Sequence, residues 1–323
     1  LRSDRGIERD GTKFDGNFYT DGQWVRFQRG LPRKIGGHKS VQRFLTEVSR
    51  GITTSIQQDY VYCHSGGAST VEQFTLNSTA NSSLIVDRTP VDLVDSDYNQ
   101  YDSSSNLNYL LAHVAPNAGA FSNSVDGQIF YGNVTDSSPL TSISLPPDAN
   151  CTGGIVSLHP YLFFYGSDGI IGWSVAGSPT DLTGSGSGLA RVWGQKIIKG
   201  FPLRAGSGSA PAGIFWAIDA VIRATFTGGS TVFQFDTVAS DTSIMSADSV
   251  VDYDGVFYWV GVDRFLMFNG VVREIPNAMN LNWFFDEQRT AFESVCVQGS
   301  SLRRDLVVLS SWRGCRVYAR RGV

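Results

Sequence analysis

The sequence predicts an all-β protein, a β-propeller of about five or six blades with loop insertions. Three observations carry this reading: hairpin turns recur about every fifty residues, apolar and polar positions alternate beside them, and almost nothing is helical. The turns begin at Gly66, Asn117, Asp168, Gly228 and Asn269, at separations of 51, 51, 60 and 41 residues. A propeller blade is a small twisted sheet of roughly 40–50 residues that cannot bury both faces alone, so neighbours stack around an axis. A β-sandwich makes similar hairpins but does not need this spacing.

Along the chain, residues 1–50 are read as a basic N-terminal arm with the first blade strands, 51–290 as the blades, and 291–323 as an Arg-rich C-terminal segment. Gly66-Gly67 turns Tyr60-Val61-Tyr62 back toward Val71–Leu76. The Ser-rich run Ser96–Asn108 reads as an exposed loop, and a weaker turn at Asn117-Ala118-Gly119 follows Tyr109-Leu110-Leu111. Asp168-Gly169 joins Leu162–Tyr165 to Ile170–Trp173. Gly184–Gly188 and Gly206–Ser209 look like loop insertions that lengthen the third interval. Around Gly228-Gly229, Ile222, Ala224 and Phe226 alternate with Arg223 and Thr225, the mark of a sheet with one apolar face. Asn269-Gly270 is the strongest turn signal, because both central residues of a type I′ turn need positive φ. The one helical expectation is a turn or two within Asn277–Gln288.

The chain has 323 residues, 41% apolar, 12% aromatic and 17% charged, a composition that folds rather than stays disordered. Its best apolar stretch, Gly213–Ile222, is interrupted by Asp219 and is too short for a membrane span. Leu1 is read as the start of a fragment or of the ordered region. The net charge of −4 hides segregation. Residues 1–50 hold 11 Lys/Arg against 6 Asp/Glu, and 303–323 hold six Arg against one Asp. That leaves 9 basic and 23 acidic residues between them. Such a middle repels nucleic acid. The basic ends could dock on acidic partners, on neighbouring copies or on phosphates at one rim, or be ordinary solvated surface.

Catalytic constellations are thin. Cys63, Cys151, Cys296 and Cys315 match no metal-ligand spacing and read as buried thiols. His38, His64, His113 and His159 occur singly, and no cofactor or resident metal is expected. Asp95, Asp97 and Asn99 imitate the opening of a calcium loop, but Gln100 and Asn106 break its pattern. Ser167-Asp168-Gly169 with Trp173 resembles the Asp-box turns of sialidase propellers, with a spacer missing; a hairpin turn over a packing Trp explains the same residues. No enzymatic role is therefore expected, and the alternative is a propeller glycosidase or carbohydrate-binding receptor module.

The stretch Trp24-Val25-Arg26-Phe27-Gln28-Arg29-Gly30-Leu31-Pro32-Arg33-Lys34-Ile35-Gly36-Gly37 resembles the opening motif of nozzle or hub proteins from the tails of tailed bacteriophages. Arg191–Arg204, Pro211–Gly229 with Phe233-Gln234-Phe235-Asp236, and Tyr258–Phe285 resemble the same proteins. The resemblance implies a propeller-based structural virion protein, assembled in the host cytoplasm. It implies a ring, commonly of six copies, beside a tail adaptor, retaining and conducting packaged DNA with transient non-specific contact. Trp24, Arg26, Phe27, Arg29, Arg33, Lys34, Lys39 and Arg43 are the docking or phosphate-contact candidates; alternatively Trp24 and Phe27 are blade core and the cations its solvated edge. After Ala291 the expected aromatic strands give way to an Arg-rich end, through truncation, a reading-frame difference or divergence.

Overall fold

The computed structural model describes residues 7, 18–36, 45–57, 60–76, 85–94, 99–106, 109–116, 127–204, 210–229, 231–275, 284–285, 296–298, 308–311 and 314–316. Nearly all of these lie in strands and turns, as the alternating patterns predict. The chain forms two compact units, one of Val41–Ala247 and one of Leu1–Ser40 with Asp248–Val323.

The first unit holds four sheets, each an antiparallel meander of four strands in chain order. They are β3 (Gly51–Gln57), β4 (Tyr60–Gly66), β5 (Val71–Leu76) and β6 (Val86–Asp87); β7 (Asn99–Asn106), β8 (Tyr109–Pro116), β9 (Gln128–Asn133) and β10 (Thr141–Ile143); β11 (Gly154–Leu158), β12 (Tyr161–Tyr165), β13 (Ile170–Trp173) and β14 (Gly188–Arg191); and β15 (Ile197–Pro202), β16 (Ala212–Ala217), β17 (Val221–Phe226) and β18 (Phe233–Ala239). The second unit holds the hairpin β1 (Val25–Gln28) and β2 (Leu31–Lys34), and a fifth four-stranded meander of β19 (Val251–Tyr253), β20 (Val256–Val260), β21 (Phe265–Phe268) and β22 (Val272–Glu274). It also holds a three-stranded sheet of β23 (Cys296–Gln298), β24 (Val308–Ser311) and β25 (Gly314–Arg316).

In the larger unit the first strands of successive sheets lie side by side: β3 against β7, β7 against β11, and β11 against β15. Between the last two sheets the core is aromatic. Phe163 stacks edge-on against Phe233 at 4.8 Å and lies 5.8 Å from Phe215, while Trp173 meets Phe233 at 5.5 Å. Each such ring, taken wholly out of water, contributes about 1.5–3 kcal/mol, which is why a sheet with one greasy face must find a neighbour. In the second unit Phe257, Trp259, Leu266 and Phe268 are buried in the same alternating manner.

The fifty-residue period is real, but its turns belong to two classes. Gly66, Pro116, Tyr165, Ala217 and Val260 end the second strand of each four-stranded sheet, at intervals of 50, 49, 52 and 43 residues. Gly228-Gly229 and Asn269-Gly270 instead follow the third strand. The long third interval thus records a change of turn.

Asp168 and Gly169 both stand at positive φ, 57° and 65°, as a type I′ turn requires. Gly228 (φ 69°) does so in a longer loop without Gly229, and Asn269–Val271 is a three-residue loop in which only Gly270 (φ 106°) is left-handed. Neither Gly66 nor Gly67 has positive φ. They are glycines because a Cβ would lie 2.5 Å from the Tyr101 ring or 2.8 Å from the Glu47 side chain. Two tight I′ hairpins went unread, Arg29-Gly30 (φ 53° and 74°) and Asp254-Gly255 (φ 55° and 80°).

The expected loop Ser96–Asn108 is corrected: Asn99–Asn106 is strand β7, paired along its length with β8. Asn117-Ala118-Gly119 lies outside the described residues, and of Asn277–Gln288 only Phe284 and Phe285 are described, both helical.

Candidate functional site

The Trp24–Gly37 motif folds, as far as it is described, into the β1–β2 hairpin. Its register sets Val25 opposite Lys34, Arg26 opposite Arg33, Phe27 opposite Pro32 and Gln28 opposite Leu31. Ile35 N–H donates to the Trp24 carbonyl at 2.9 Å, extending the ladder by a step. Phe27 is half-buried against Tyr19, ring centroids 5.6 Å apart. Trp24 is 67% exposed, so it is not blade core. Arg29 serves first as the left-handed turn residue. Arg26, Arg29, Arg33 and Lys34 are all exposed. Lys39 and Arg43 lie outside the described residues. The structure thus places Trp24, Arg26, Phe27, Arg29, Arg33 and Lys34 on or beside one hairpin.

A second cluster, which sequence reasoning missed, joins three sheets of the larger unit. Asp102 on β7 pairs with Lys199 on β15 at 2.9 Å, with the two side chains 19% and 16% exposed. The other Asp102 oxygen accepts from the Tyr165 hydroxyl at 3.1 Å and from Ile155 N–H at 3.2 Å. Tyr165 in turn accepts Gly200 N–H at 3.0 Å. Burial, with the Asp102 charge beside it, pushes the Tyr165 phenol well above its ordinary range. Both carboxylate oxygens are thus engaged, and Asp102 is a stitch between sheets rather than a free acid. The signal that could have found it was the period itself: first strands starting at Gly51 and Gly154 leave room for one near residue 100.

A third cluster lies between the first two sheets. His64 donates through Nε2 to Gln73 at 3.0 Å, and Gln73 also accepts from the wholly buried Arg88. Arg88 further donates to the carbonyls of Asp136 (2.7 Å) and Asn133 (3.1 Å). Burial lowers the His64 pKa to about 4, with Arg88 adding to the effect. His64 is therefore a structural residue, as its isolation in the sequence predicts. Cys63 and Cys151 are buried free thiols; burial pushes Cys63 up to about 12 and Cys151 well above its usual range. Asn99, the described member of the calcium-like run, spends its amide on the Ala68 and Val94 carbonyls, both at 2.9 Å. Among the described residues no group of three His, Cys, Asp or Glu could hold a metal ion. Asp168 occupies its exposed turn, and Trp173 packs into the core with its indole N–H on the Gly186 carbonyl at 3.1 Å. Among the described residues no helix is long and apolar enough to cross a membrane.

No family model matches the chain, and no curated protein matches it. Solved structures do. The Cps50 (Swd1) β-propeller domain of Myceliophteria thermophila is 10% identical over 88% of this chain and all of that one, with a TM-score of 0.44. An exo-β-1,3-galactanase from Phanerochaete chrysosporium is 10% identical over 75% of this chain and 66% of its own, with a TM-score of 0.43. An endo-arabinase from Bacteroides thetaiotaomicron is 12% identical over 71% and 93%, with a TM-score of 0.36. Likeness at this level concerns the fold alone. The expectation that the chain has no enzymatic role is nevertheless corrected: a galactanase and an arabinase stand among the matches, so this fold gives no ground for excluding catalysis. Repeated four-stranded antiparallel meanders, with first strands side by side, are the architecture of a β-propeller.

Proposed function

We propose that the chain is a nozzle or hub component of a bacteriophage tail, working in a ring of copies beside a tail adaptor to retain and conduct packaged DNA in the virion. The observation that supports this most is the hairpin: the stretch that most resembles tail proteins folds as an exposed element that carries Trp24 and four cations, Arg26, Arg29, Arg33 and Lys34. Aromatic and arginine side chains are enriched where proteins dock. The acidic middle of the chain fits passage of DNA without adhesion, since like charge repels the phosphates. Electron microscopy of tail particles assembled with and without this chain tests the reading. Ring density that appears only with the chain supports it; complete tails formed without the chain refute it.

A second reading, a propeller glycosidase or carbohydrate-binding module, has counterparts by name among the matched structures, whereas none of the three is a tail protein. It is favoured by Tyr60, 47% exposed beside Tyr62 with ring centroids 6.4 Å apart, an aromatic pair of the kind sugar rings pack against. Retention on a glycan array or release of reducing sugar from β-1,3-galactan or arabinan would support it; failure in both assays removes it.

A further inference from the structure

We infer that one face of the β1–β2 hairpin is the surface by which one copy of this chain grips the exposed turn around Asp92 of a second copy. The inference rests on the assembly reading above and names its contact. In an antiparallel pair, directly opposed residues share a face, and alternate residues along each strand follow them. Trp24, Arg26 and Gln28 thus stand in step with Ile35, Arg33 and Leu31, and all six are exposed. Their centre is an Arg26–Arg33 pair of like charges, directly opposed and with no ion-pair partner among the described residues, an arrangement that costs stability until an anion meets it. Exposed Trp24, Leu31 and Ile35 bracket that pair.

This mixture selects the occupant. A bare phosphate backbone would satisfy the guanidinium groups but leave the three apolar side chains wet. A protein surface that sets a carboxylate among apolar groups satisfies both. Such a surface lies on the larger unit, in the turn after β6, where Asp92 is exposed between Val91 and Leu93, with Val91 96% and Val94 48% exposed. The overall charge of the chain between its basic ends has the matching sign, since residues 51–302 hold 23 acidic against 9 basic side chains. A contact between two different patches of identical chains is heterologous, and it closes into a ring or runs on as a filament.

The test is sedimentation velocity of the purified full chain across protein concentration and salt. Wild-type protein is expected to self-associate, more weakly as salt rises. Arg26→Glu with Arg33→Glu should weaken association at least tenfold, as the loss of close interfacial charge pairs does. Asp92→Arg should do the same, and the combined triple variant should recover most of the loss, which a folding defect would not allow. A monomeric wild type, unaltered association in the charge-reversed variants, or a triple variant no better than its parents would overturn the inference. So would a hairpin variant that still self-associates but no longer retains a labelled DNA duplex, since the face would then be a phosphate contact. None of these measurements uses a tail particle, so their failure and that of the tail reading are separate results.

Discussion

Asp102→Ala probes the stitch between sheets most directly. The carboxylate meets the Lys199 ammonium at 2.9 Å and accepts from Tyr165 and Ile155, so the truncation takes an acceptor away from donors on three different strands. Removing one partner of a buried ion pair costs about 3–5 kcal/mol, because the remaining charge keeps its desolvation penalty without its compensation. The side chains are 16% and 19% exposed, so some water reaches the survivors, and the loss should fall near the low end, about 3 kcal/mol. Adding Lys199→Met removes the ammonium charge beside the gap and fills its place with apolar volume, and the double variant should return to within about 1 kcal/mol of wild type. Urea unfolding followed by tryptophan fluorescence measures both. A single variant within about 0.5 kcal/mol of wild type, or a double variant less stable than the single, would refute the stitch.

Further outcomes follow from other residues. Gly270→Val meets no neighbour within 4 Å yet stands at φ 106°, so it should cost about 1–3 kcal/mol through backbone strain alone, and Gly228→Val at φ 69° similarly, both read as lowered thermal midpoints. Burial keeps His64 neutral, so the unfolded chain takes up the proton first as pH falls. Stability should therefore be full above pH 6.5, decline by about 3 kcal/mol towards pH 4 and level off below, and His64→Asn should flatten that slope in urea titrations. With Cys296→Ser and Cys315→Ser in the background, Cys63 and Cys151 should resist a thiol-specific disulfide reagent at pH 8 and react only as denaturant opens the sheets.

What the sequence could reveal is local, and what it concealed is tertiary. Alternation exposed the strands around Phe226 and Phe233, because a half-buried strand must repeat with period two. Asp168-Gly169 was legible because positive φ has few tenants, while the Arg of Arg29-Gly30 disguised an equally tight turn. Strand β7 was hidden because Asp102 and the serines around it are polar, and what stabilises Asp102 there comes from β11, β12 and β15, more than fifty residues away. Gly66 was taken as a turn residue when its need for no side chain comes from Tyr101, on the next sheet. The basic and aromatic residues between Trp24 and Lys34 are legible as a cluster in the sequence, but Arg26 opposite Arg33 becomes visible only once the register is known.

One regularity in the larger unit has reach beyond stability. In three of its sheets the residue four places before the first strand holds the turn between the second and third strands. Glu47 accepts from Ser69 N–H at 2.8 Å, Asn150 accepts from Ser167 N–H at 2.7 Å, and Trp193 donates to Asp219 at 2.7 Å. The position repeats while the polarity reverses: two linkers receive a proton donor and the third supplies one. Trp193 at either of the other two turns would set donor against donor, and Glu47 or Asn150 at the Asp219 turn would set acceptor against acceptor. Similar modules threaded on one string invite such exchanges during folding, and the reversed clasp of the fourth sheet works as a private address that makes the mistaken partner the costlier one.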